Sequence, residues 1–179
     1  MKRKEQAEAI LYNSGLLTEL EKYGRPHIIG SCRMDMMAWN DIDIDIENDG
    51  MSLEKLYQLT RYVIDIFHPF WYEAKEEVND EGKTVWFQGF EAIVDGERWN
   101  FDLWFFDRET IGKAERFCDG IATRATAAQK EKITRLKQEL IARNLYAFDK
   151  FHSVDVYRAV LEEEIEDVEG FLKKYERGI

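Results

Sequence analysis

Cysteine, positive charge and long apolar runs are all scarce in this chain, and each shortage removes a class of protein. Its 179 residues include two cysteines, Cys32 and Cys118, far apart and without a CxxC or zinc spacing. A disulfide scaffold is thereby excluded, and free thiols in a reducing cytoplasm are expected. The three histidines, His27, His68 and His152, form no His-x-x-x-His or His/Cys spacing, so a structural role is expected for each. No stretch approaches the roughly 20 apolar residues that cross a bilayer. The start, Met1-Lys2-Arg3-Lys4-Glu5, leads into a polar amphipathic segment and not into the apolar core of a secretion signal. A soluble cytoplasmic protein with no membrane partner is the expectation. Lys and Arg together number 25 against 36 Asp and Glu, a formal net charge of −11. Neutralising a phosphate backbone takes a surface of the opposite sign, so no general nucleic-acid binding is expected. There is no internal repeat, low-complexity tract or Pro/Gly/Ser linker.

What is present suffices for a packed core: 45% of residues are hydrophobic and 13% aromatic. Residues 3–23 read as helix, interrupted near Asn13-Ser14-Gly15, with Ser14 placed to cap the second piece. Short strands are expected at 26–30 and 41–47, followed by turn chemistry at Asn48-Asp49-Gly50. Ser52 then caps a helix whose apolar stripe is Leu53, Leu56, Tyr57, Leu59, Tyr62, Val63, Ile66 and Phe67, ended by Pro69. Three strands follow, about 70–78, 84–94 and 98–106, separated by Asn79-Asp80-Glu81-Gly82 and by the hairpin signal Asp95-Gly96. Most of the tryptophans read as core of this meander. From 109 onward the pattern is helical: 109–122, 126–143, 154–164 with Ser153 as cap, and 166–176. The basic run Arg124, Lys130, Lys132, Arg135, Lys137 and Arg143 reads as a solvated helix face. The acidic run Glu162 to Glu169 reads as an exposed junction.

The chemistry lies in the strand Asp41-Ile42-Asp43-Ile44-Asp45-Ile46. Side chains alternate along a strand, so the three aspartates share one face and the three isoleucines the other. Like charges on a half-buried strand repel and are costly to desolvate. A divalent cation removes that cost, and Mg²⁺ prefers one or two carboxylates with phosphate oxygens. Nine residues (32–40) upstream, a short apolar run ends in Ile29-Gly30-Ser31. A calcium loop at Asp45–Gly50 is the rival reading. It fails at position twelve, where Leu56 stands instead of a bidentate glutamate.

Ile29-Gly30-Ser31 followed by Asp41-Ile42-Asp43-Ile44 resembles the signature of the nucleotidyltransferase superfamily, the DNA polymerase beta-like fold that includes minimal and antibiotic nucleotidyltransferases. The resemblance covers about residues 25–107. It implies an α+β fold with a mixed, mostly antiparallel sheet flanked by helices: an α/β head over 1–107 and a C-terminal helical part over 108–179 packed on it. The third carboxylate of the family lies on a later strand, and Asp102 within Trp99–Phe106 fits it. By the same resemblance Asp41, Asp43 and Asp102 hold two Mg²⁺ ions, and Asp102 takes the acceptor's proton. Gly30 and Ser31 form the phosphate site, with Arg33 as a further phosphate contact. Asp45, one step past the motif, reads as a solvent-facing acid, and Trp39 as a wall of the acceptor site.

The resemblance implies a nucleoside triphosphate such as ATP as donor, and as acceptor a hydroxyl of a small, antibiotic-like molecule or of a protein. The chain departs from the pattern where a glycine often follows Gly-Ser, here near Asp35, and where serine often precedes the first aspartate, here Asn40. A non-catalytic binding or regulatory protein of the same fold is the alternative reading. Minimal nucleotidyltransferases often work with a helical partner protein, but no residue of this sequence identifies one.

Overall fold

The computed structural model describes residues 2–48, 50–79, 81–146 and 150–175. The turn residues Asp49 and Asp80, and residue 176 of the last expected helix, lie outside the described residues. The chain forms two compact units, Met1–Asp119 and Gly120–Ile179.

The first unit opens with α1 (Arg3–Asn13) and α2 (Leu16–Leu20), broken at Gly15, whose φ of +77° is left-handed. Gly15 occupies the N-cap position, and the Ser14 hydroxyl accepts a hydrogen bond from the Leu16 N–H. Five strands follow: β1 (Pro26–Ile28), β2 (Asp41–Glu47), β3 (Trp71–Val78), β4 (Thr84–Val94) and β5 (Glu97–Phe106). They form one sheet in the order β1-β2-β5-β4-β3. Only β2 and β5 run parallel; the other neighbours are antiparallel, so the sheet is mixed and mostly antiparallel as expected. Asp95 and Gly96 both have positive φ, the conformation a tight turn between β4 and β5 demands.

The alternation of β2 sets the two faces of the sheet. Ile42, Ile44 and Ile46 are fully buried and lie opposite Phe101, Leu103 and Phe105 of β5. Phe90 of β4 stacks on Phe101 with centroids 4.4 Å apart, and Phe67 lies tilted against both. Phe67 comes from α4 (Leu53–Phe67), which packs Leu56, Leu59, Val63 and Phe67 on this face. Ser52 caps α4 by accepting from the Lys55 N–H, and His68 ends it in a left-handed conformation before Pro69. The buried stripe is narrower than the sequence pattern: Leu53, Tyr57 and Ile66 are exposed. Trp86 and Trp99 are core, whereas Trp71 on edge strand β3 is partly exposed.

The second unit begins within α5 (Arg108–Arg124) and contains α6 (Ala127–Ala142), α7 (Ser153–Leu161) and α8 (Val168–Tyr175). Its core includes Ile133, Leu136, Leu140, Val156, Val160 and Phe171. Thr126 and Gln129 cap α6 reciprocally. At α7 the cap lies at His152, whose N–H donates to Asp155, and not at Ser153. The basic run is not merely a solvated face. Lys137 is only 3% exposed, with its ammonium 3.2 Å from the Tyr157 hydroxyl and lying over the Tyr157 ring. Lys132 pairs with Glu166 and Arg143 with Glu169, so the basic and acidic runs are partners in this unit.

Candidate metal and nucleotide site

The site is built where β1 gives way to α3 (Gly30–Met34) beside β2. The Ile29 N–H donates to the Asp43 carbonyl at 3.0 Å, which sets the turn directly against Asp43. Gly30 follows with φ +62°, and a Cβ there would stand 2.0 Å from Asp43 Oδ2. Conformation and close approach therefore both require glycine. Next to it Ser31 is buried, and its hydroxyl has no hydrogen-bond partner among the described residues. Buried polar atoms are nearly always paired, so this hydroxyl, one residue after the glycine that meets Asp43, is an exception. The helix ends at Asp35 in a left-handed conformation, φ +55°. A glycine suits that backbone best, which accounts for the glycine of the family pattern, and the Asp35 side chain is exposed.

The parallel β2–β5 ladder brings the acids together. Asp43 pairs with Asp102 and Asp41 with Asn100, all four side chains on one face. Carboxylate oxygens of Asp41, Asp43 and Asp102 lie within 4.8 Å of one another, and all three residues are partly buried. Burial first, then the Asp41 charge, pushes the Asp102 carboxyl up to about 6, with a hydrogen bond from Asn100 acting against the rise. Clustered hard oxygen donors, an orphan hydroxyl and a glycine that leaves room at Asp43 Oδ2 fit a hard divalent cation with a phosphate oxygen.

The fold places these residues among known proteins. The chain superposes over 89% of its length on the Cid1 poly(U) polymerase, solved with Mg and 3′-dATP bound, with a TM-score of 0.60 and 17% identity. A cytoplasmic RNA terminal U-transferase matches over 89% with a TM-score of 0.56 and 17% identity. The polymerase core of TRAMP, an RNA surveillance complex, matches over 86% with a TM-score of 0.59 and 18% identity. The fold is the nucleotidyltransferase fold. The chain spans about half the length of these solved structures, 49%, 47% and 49% of them respectively. No protein-family model matches the sequence, and neither does any curated protein.

Within this nucleotidyltransferase fold, Asp41, Asp43 and Asp102 come together and Gly30 lies against Asp43, with Ser31 next to it in the chain. Arg33 is engaged elsewhere: its guanidinium grips Asp119 through two bonds of 2.8 and 2.9 Å and reaches Glu115 at 3.0 Å. Asp45 is a correction. It is 2% exposed, not solvent-facing, flanked in the ladder by His27 of β1 and Trp104 of β5. Burial pushes its carboxyl up to about 7, the His27 charge opposing and the Glu115 charge adding. Alternation had assigned Asp45 to the correct face, but His27, Glu47 and Glu115 close over that end of it, with both His27 nitrogens 3.1 Å from a carboxylate oxygen.

Trp39 is 44% exposed and lines a cleft of about 520 Å³ with Arg3, Asn40, Glu91, Arg98 and Asn100. Asn40 donates to Glu97 and to the Arg98 carbonyl. Asn100 is the site residue that sequence reasoning missed. Its signal was present: two positions before Asp102 on a strand, it shares the face of the acids.

Proposed function

We propose that this chain is a Mg²⁺-dependent nucleotidyltransferase that moves a nucleoside monophosphate from a nucleoside triphosphate to an acceptor hydroxyl. The observation that carries this reading is the Asp41, Asp43 and Asp102 cluster within a nucleotidyltransferase fold. Asp41, Asp43 and Asp102 would hold the ions. When bound, Mg²⁺ supplies positive charge to the attacking and leaving oxygens of an in-line displacement. The acceptor oxygen forms a bond to the α-phosphorus, and the bond to the β-phosphate oxygen breaks. Pyrophosphate departs with the electron pair. Asp102 would receive the hydroxyl proton. The Ser31 hydroxyl, buried and unpartnered, would take a phosphate oxygen, and Gly30 lets the Asp43 carboxylate lie against the turn. Arg33 serves as a strut between α3 and α5, its guanidinium already paired with Asp119 and Glu115.

For the acceptor we propose a hydroxyl on a small molecule. The net charge of −11 and the compact Trp39 cleft support this over a long polyanion. A second reading, an RNA 3′ hydroxyl, is favoured by one observation: the structures of like fold are RNA polymerases and terminal transferases.

The test is a thermal-shift series with ATP, GTP, CTP and UTP, each with and without Mg²⁺, beside the Asp41→Asn/Asp43→Asn double variant. A ligand at about a hundred times its dissociation constant adds about 2.7 kcal/mol, or about 5–10 °C for a chain of this size. A Mg²⁺-dependent rise with one nucleotide, lost in the double variant, is expected. Flat melting curves with all four nucleotides would replace the enzyme with the non-catalytic reading. Extension of a labelled RNA oligomer separates the two acceptor classes.

A further inference from the structure

Three carboxylates crowd the candidate metal site, and one neutral side chain donates a hydrogen bond to the first of them. Asn100 sits opposite Asp41 in the β2–β5 ladder and two positions before Asp102 on the same face. Its Nδ2 donates to Asp41 Oδ1 at 2.8 Å, while Asp102 lies two positions further along the same face. The backbone holds it in place, because the Asn100 N–H donates to the Asn40 carbonyl at 2.9 Å.

We propose that Asn100 is the positioning residue of the metal site, orienting Asp41 so that its remaining oxygen converges on the cation with those of Asp43 and Asp102. The inference rests on the metal reading above and adds to it the group that pre-forms the site. The residue type follows from electrostatics. A lysine or arginine here would set a positive charge where the cation belongs, and an aspartate would add a fourth negative one. An amide of this length donates and brings no charge. Partners of metal ligands of this kind typically alter metal affinity by about 10–100-fold when removed.

The experiment measures Mn²⁺ binding by electron paramagnetic resonance, with and without ATP or UTP, for wild type, Asp43→Asn, Asn100→Leu and Asn100→Lys. Melting temperatures are taken in EDTA. Asn100→Leu removes the donor at similar volume and is expected to weaken Mn²⁺ binding at least about ten-fold, with the metal-free melting temperature within a few degrees of wild type. Asn100→Lys is expected to raise the metal-free melting temperature by neutralising repulsion and to abolish Mn²⁺ binding. The lysine variant checks that position 100 faces the cation, and the uncharged leucine variant carries the test of positioning: a purely structural side chain would lower the metal-free melting temperature without a selective loss of Mn²⁺ affinity. Wild-type affinity in either variant overturns the inference and leaves the metal reading intact. If wild type itself binds no Mn²⁺ under any condition, the metal reading falls and the inference with it. Should Asn100→Leu fail to fold, Asn100→Ala, which also removes the donor and adds no charge, takes its place with the same two readouts.

Discussion

Asp43 and Asp102 are direct neighbours across the parallel β2–β5 pair. Adjacent strands lie roughly 4.8 Å apart, so backbone hydrogen bonds set the spacing of these two acids. Short aspartate side chains add little slack. A site held in this way tolerates a change of chemistry at one position without losing its geometry.

Asp43→Asn keeps the shape and removes one charge. The fold, read by circular dichroism and melting temperature, is expected to survive. Mg²⁺-dependent transfer is expected to fall on the order of 10³-fold, as when a preorganised electrostatic group is lost. Undiminished turnover in this variant would sink the mechanism.

Gly30→Ala tests the turn. A non-glycine residue in the left-handed region costs about 1–2 kcal/mol, and the new methyl would meet Asp43 Oδ2. Urea unfolding is expected to show a lower midpoint at unchanged slope, and the Mg²⁺- and nucleotide-dependent thermal shift should vanish. A variant with wild-type stability and wild-type ligand response would show that the close approach is not required.

Asp45 makes a prediction about pH. Its carboxyl is pushed up to about 7 in the folded chain, mainly by burial, while an unfolded aspartate ionises near 4. Between these values the folded state holds the extra proton, so this group makes stability fall as pH rises, by up to about 1.4 kcal/mol per pH unit. Asp45→Asn removes that dependence. In EDTA, the melting temperature of the variant relative to wild type is expected to climb from pH 4 to pH 8; a flat difference contradicts the buried carboxyl.

Asp107 behaves in the opposite sense. It caps α5, accepting from the Thr110 N–H at 2.9 Å, and pairs with Lys83. The backbone bond first, then Lys83, holds its carboxyl down at about 2. Its stabilisation is present above about pH 4 and is lost as pH falls toward 2. The side chain is 36% exposed, so Asp107→Ala is expected to cost no more than the roughly 1 kcal/mol of an ordinary cap at neutral pH. Urea midpoints at pH 7 and pH 2.5 check both the size and its disappearance.

Local signals carried much of the architecture. Period-two alternation marked β2 and β5, Ser52 and Pro69 bracketed α4, and Asp95-Gly96 marked the hairpin. Gly30 and the acids were legible because their spacing is a chemical requirement. What escaped depends on segments distant in sequence. Alternation told which face Asp45 is on, but not that His27 and Glu115 enclose it. The carboxylate partners of Arg33 lie more than eighty residues away. Lys137 read as a surface cation because two tyrosines that shelter it, Tyr146 and Tyr157, belong to another stretch of chain. Asn100 looked like an ordinary strand residue until its register with Asp41 was known.

The parallel pairing of β2 with β5 also has a kinetic consequence. Asp43 and Asp102 are about sixty residues apart, with α4 and the β3–β4 hairpin between them. Contacts of such long sequence separation form late, after the loop-closure cost has been met. A chain still emerging from the ribosome carries the Asp-Ile-Asp-Ile strand long before it carries a cation-binding point. On the proposed metal reading, Mg²⁺ affinity would report the pairing of β5 with β2, and a chain without that pairing would be silent to it.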